Sequence, residues 1–141
     1  MDVRSLGYVV IESADPTKWL EYGRDILGLM PAPNMPDDGN VYLKLDERPF
    51  RFAIVKGEQE RLQRCGWELR DREDFADAKQ TLSAAGIAFE EGDTALAQAR
   101  KVRELIVLKD PSGNELELYW GGELDFAKFM SPLGISGFET G

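Results

Sequence analysis

The order of patterned segments constrains this chain most: a strand, a helix and then two or three strands, stated twice in succession. Residues 3–12 carry the apolar run Tyr8-Val9-Val10-Ile11, the composition of a strand. Asp15 before Pro16 reads as an N-cap with proline at the first helical position. Trp19, Leu20, Tyr22, Gly23, Ile26 and Leu27 recur at helical spacing, and Gly28 is the stop. That predicts a helix of about 12 residues. The loop at residues 31–40, with three prolines, borders a short strand at residues 29–32. Residues 40–46 alternate Val41, Leu43 and Leu45 against Tyr42 and Lys44, a half-buried strand. The turn Asp46-Glu47-Arg48-Pro49 joins it to a second strand at residues 50–56.

The second half repeats this order. Residues 65–70 form a strand, and residues 73–85 a helix with Phe75, Ala78, Leu82 and Ala85 on one face and Gly86 as its stop. Residues 87–89 are a short strand, and residues 93–99 a short helix capped by Asp93. Strands at residues 102–109 and 114–120 flank the turn Asp110-Pro111-Ser112-Gly113. The chain is therefore α+β: two βαβββ modules, at residues 3–57 and 64–121, repeat in element order rather than in residue identity. Together they make one paired domain over residues 1–121. Residues 122–141 fit neither module and read as a tail or linker. At 141 residues the chain can bury about two-thirds of its unfolded surface and needs no disulfide or metal staple.

Composition then removes function classes. There is no histidine in the chain, so it holds no Ser-His-Asp triad, no HExxH zinc site and no two-histidine-one-carboxylate iron site. A net charge of -9 argues against nucleic acid and against anionic membrane surfaces. The single cysteine, Cys65, cannot form an internal disulfide, which fits a reducing cytoplasm. The first residues, MDVRSLGYVVIES, have too few basic side chains and too short an apolar run for a signal peptide, and no segment is long enough for a membrane helix.

The last hairpin, KDPSGNELELYW, carries the one chemical signal. Alternation puts Glu115, Glu117 and Tyr119 on one face of the final strand, and Leu116, Leu118 and Trp120 on the other. The simple reading sets the leucines in the core and the glutamates in water. The sharper one places Glu117 inside a cavity of a curved sheet.

Two βαβββ modules ending in this Asp-Pro-x-Gly-Asn-x-Leu-Glu-Leu strand resemble the vicinal oxygen chelate superfamily, which includes glyoxalase I, bleomycin-resistance proteins and extradiol dioxygenases. More closely, the chain resembles the amino-terminal domain of type I extradiol dioxygenases, such as those that cleave 2,3-dihydroxybiphenyl. The resemblance rests on residues 3–8 (VRSLGY), Leu27-Gly28-Leu29-Met30, Ala85-Gly86-Ile87, Gly92-Asp93, Leu96-Ala97, Asp110-Pro111 through Leu116-Glu117-Leu118-Tyr119, Gly121, and the closing Ile135-Ser136-Gly137-Phe138-Glu139-Thr140-Gly141. It implies an open, curved, mixed-sheet barrel with the helices outside. It also implies where metal ligands would stand: Tyr8 and the stretch around Gly66 occupy positions where the family's active barrels carry imidazoles, and Glu117 matches the family's glutamate. One ligand of three remains, so the resemblance implies a metal-free amino-terminal barrel with no catalytic residue. The Fe(II) is expected in a carboxy-terminal domain beyond Gly141.

Remaining features have plainer readings. Trp19, Tyr22 and Ile26 read as core; residues 61–72 read as a solvated mixed-charge surface. Arg100-Lys101-Val102-Arg103 is the one basic cluster, weighed as a phosphate or acidic-partner site and disfavoured. Phe126, Phe129, Met130 and Phe138 are large apolar side chains for a linker and are candidate interface residues. The expected partners are the second barrel of the parent enzyme and further copies of the protein. The alternative is a stand-alone small-molecule binding protein of the glyoxalase and bleomycin-resistance type, for which a small aromatic ligand is a candidate partner. Neither nucleic acid nor membrane is an expected partner.

Overall fold

A computed structural model of the chain describes residues 1–138. Its elements are β1 (Val3–Ser13), α1 (Pro16–Asp25), β2 (Met30–Pro31), β3 (Val41–Lys44), β4 (Phe52–Lys56), β5 (Arg61–Leu69), α2 (Arg72–Ala84), β6 (Phe89–Glu91), α3 (Thr94–Arg100), β7 (Glu104–Lys109) and β8 (Glu115–Trp120). The doubled order read from the sequence is present. Hydrogen-bonded neighbours run β2-β3-β4-β1-β5-β8-β7-β6, an open order with β2 and β6 as its edges. The sheet is mixed: β1 pairs with β4 and β5 with β8 in parallel, while β2–β3, β3–β4, β6–β7 and β7–β8 are antiparallel.

The chain divides into two compact units, one of Met1–Gly7 and Arg64–Glu123, the other of Tyr8–Gln63 and the segment from Leu124 onward. In the second unit, Asp15 caps α1 by accepting from the Thr17 amide, with Pro16 opening the helix. Gly28, at φ +70°, turns the chain out of the helix into β2. Gly23 brings α1 close to β3, because a Cβ there would lie 2.4 Å from Leu43 Cδ1. Leu29, Leu43 and Ile54 are the buried centre, with Trp19, Leu20 and Leu27 packed against them.

In the other unit, Asp71 caps α2 by accepting from the Asp74 amide. The helix buries Phe75, Ala78 and Leu82 against Leu69, Ile106 and Leu118. Gly7 lets β1 pass the Tyr119 ring, since a Cβ there would overlap the Tyr119 hydroxyl at 1.7 Å.

Four expectations are corrected. Tyr22 and Ile26 are exposed, Ile26 at 65 %, because α1 buries Pro16 and Gly23 and turns its outer stripe to solvent. Strand β5 begins at Arg61 rather than at residue 65, because ion pairs to β1 and β8 carry its charged start. Strand β6 begins at residue 89 rather than 87, because the Ile87 amide is spent on the Leu82 carbonyl in closing α2. Strand β3 is not half-buried: Tyr42, Leu43 and Lys44 are all buried.

Candidate functional site

The turn before β8 builds the site from one end. The Asp110 carboxylate accepts from the Ser112 amide at 2.8 Å and the Asn114 amide at 2.9 Å, and Gly113 takes φ +87°. These bonds hold the Asp110 carboxyl below the usual range; the Asn114 side-chain bond is the largest cause. Strand β8 then runs parallel to β5, in a register that sets Arg64 opposite Glu115 and Gly66 opposite Glu117.

Glu117 is 0 % exposed. A buried carboxylate is costly unless it is paired, and this one has two cations. Arg64 donates from Nε to Glu115 Oε2 at 2.6 Å and from Nη1 to Glu117 Oε1 at 3.1 Å. Arg100 donates from Nε to Glu117 Oε2 at 2.9 Å and from Nη2 to Glu117 Oε1 at 3.1 Å, a two-pronged grip. Burial pulls the Arg64 guanidinium down, yet its bonds to Glu115 and Glu117 leave it above its usual value. The end of α3 places Arg100: Asp93 caps the helix through the Leu96 amide, and Lys101 ends it in the left-handed region at φ 58°. The bland expectation of glutamates in water therefore fails at Glu117. Leu118 on the opposite face is buried as expected, but Leu116 is only half-buried.

Arg64 and Arg100 were not singled out from the sequence as partners of Glu117. One sat in the run read as solvated surface, the other in the disfavoured basic cluster. A signal existed: Arg64-x-Gly66 on one strand faces Glu115-x-Glu117 on its neighbour, so an arginine and a gap without a side chain oppose two carboxylates.

The donors around Glu117 do not fit a metal ion. Both of its oxygens accept from guanidinium groups, and a cation would have to displace them. Gly66, its register partner, has no side chain to offer. Burial pushes the neighbouring Cys65 thiol up, away from the thiolate that binds metals. No group of three or more carboxylate, thiol or imidazole side chains that could hold a metal ion stands among the described residues. In the other unit, Tyr8 is buried with its ring 5.6 Å from that of Phe50, which lies 5.5 Å from that of Tyr42.

The tail candidates also separate. Phe126 is 103 % exposed and Met130 is exposed, whereas Phe129 is half-buried with its ring 5.8 Å from Phe138. Glu139, Thr140 and Gly141, the end of the closing motif, lie outside the described residues. No helix among the described residues is long and apolar enough to cross a membrane.

Comparison with known proteins gives the arrangement its relatives. The family model described as dihydroxybiphenyl dioxygenase BphC D1 matches residues 6–57. An iron-dependent extradiol dioxygenase of Rhodococcus jostii (strain RHA1) is 41 % identical over 141 residues, the whole of this chain and 46 % of the relative. A biphenyl-2,3-diol 1,2-dioxygenase of Paraburkholderia xenovorans (strain LB400) is 38 % identical over 142 residues, covering 100 % of this chain and 47 % of the relative. Among solved structures, a catechol 2,3-dioxygenase superposes with a TM-score of 0.93 at 27 % identity, covering 100 % of this chain and 50 % of that one. A halotolerant catechol dioxygenase, BphC, superposes with a TM-score of 0.90 at 27 % identity, covering 99 % and 46 %. The chain thus spans about half the length of the curated relatives it matches. By sequence and by fold, the chain matches the amino-terminal portion of extradiol dioxygenases, whose solved members have the vicinal oxygen chelate fold.

Proposed function

We propose that this chain is the metal-free amino-terminal domain of a ring-cleaving catechol dioxygenase acting on a biaryl or bicyclic catechol. The observation that carries this reading is the buried Glu117 carboxylate, neutralised by Arg64 and Arg100 and leaving no ligand set for iron. Iron, held by a carboxy-terminal domain, would supply the binding and activation of catechol and dioxygen. This chain's residues do none of that chemistry. Their part is to fold, to support the second domain and to offer it a surface. The exposed apolar side chains of the tail, Phe126 and Met130 foremost, suit that contact.

The test is the full-length protein read from its own gene. The frame should continue past Gly141 into a histidine-bearing domain, and the purified product should hold iron and turn 2,3-dihydroxybiphenyl yellow. A stop codon at that point, with no ring cleavage, would overturn the reading in favour of a stand-alone ligand-binding protein.

A further inference from the structure

The segment from Leu124 to Phe138 has no regular secondary structure, and most of its large apolar side chains face outward. Hydrophobic burial therefore does not explain why it lies against the body of its unit. Polar contacts do. Lys44 is 0 % exposed, on a strand where Tyr42 and Leu43 before it are also buried. Its ammonium donates to Asp125 Oδ2 at 2.7 Å and to the Ala127 carbonyl at 2.6 Å. Asp125 also accepts at Oδ1 from Asn34 Nδ2 at 3.1 Å and from the Ala127 amide at 3.0 Å. Its own amide donates to the Glu47 carbonyl at 2.7 Å. The Lys44 bond is the main reason the Asp125 carboxyl lies below its usual value. Farther along, the Ser131 hydroxyl donates to the Gly28 carbonyl at 2.7 Å. Ile135 fills the space that a side chain at Gly28 would take.

We propose that the Lys44–Asp125 pair is a latch that docks residues 124–138 as a strap and so fixes how Phe126 and Met130 are presented. If the strap peels away, the Lys44 ammonium loses its carboxylate and its carbonyl partner together. That makes docking all-or-none rather than gradual. The latch stands on contacts within this chain, whatever follows the strap.

Trypsin cleavage after the exposed Lys128, combined with hydrogen exchange, tests it on the chain. Lys44→Met keeps β3 apolar and removes the latch; Asp125→Asn removes its other half. Both should raise the rate of cleavage after Lys128 by about tenfold or more, with the Asp125 and Ala127 amides losing protection. Protection in β7 and β8 should stay at the wild-type level, and Phe126→Ala should change neither reading. Wild-type cleavage in Lys44→Met would overturn the latch. So would equal loss of protection in the strap and in β7–β8, which would make the pair general fold support.

Discussion

Glu117 shows what one residue in this chain does with charge. A carboxylate on a strand that alternates with leucines reads as a solvated outer face, and alternation alone cannot tell water from a buried cation. The structure answers with two guanidinium groups, both from segments whose pattern looked like surface. The resemblance singles out Glu117, Gly66 and Tyr8, and all three are buried. Their partners stayed hidden because they come from other elements, and pairing between distant segments leaves only a faint trace in one sequence. Because the pair is buried, removing one member should be severe. Glu117→Gln, which leaves Arg64 and Arg100 with half their counter-charge, should cost about 3–5 kcal/mol of stability in urea titration. A loss within about 0.5 kcal/mol would mean that the arginines find water or other partners.

At the scale of elements, caps and turns were the most legible part. Asp15, Asp71 and Asp93 begin helices, and Gly28 and Gly86 end them, because these jobs are done by one residue and its near neighbours. Of these, Asp71 was not read as a cap from the sequence. The start of β5 and the faces of α1 were not legible, because both depend on what lies across from them. On α1, the helical period is real, yet Tyr22 and Ile26 belong to a stripe left exposed among the described residues. The same contrast separates two phenylalanines. Phe75 is buried in α2's core cluster, and Phe75→Ala should lower stability by about 3–5 kcal/mol. Phe126 is fully exposed, and Phe126→Ala should stay within about 0.5 kcal/mol of wild type in the same urea titration. Similar losses in the two variants would contradict this contrast.

For the whole molecule, the doubled βαβββ order was readable because it is written in periodicity, and the open mixed sheet follows it. The buried Glu117 carboxylate is neutralised by two arginines and stands opposite a glycine in the strand register. Cation and guanidinium compete for the same oxygens, and two fixed guanidinium groups within the fold lose no freedom when they win. The central claim is that this domain holds no iron of its own. The direct measurement is to add Fe(II) anaerobically to the purified chain, remove the excess, count the bound iron, and then admit air with 2,3-dihydroxybiphenyl. The account predicts iron far below one per chain and no yellow product. One tightly held iron per chain, or yellow ring-fission product, would contradict it.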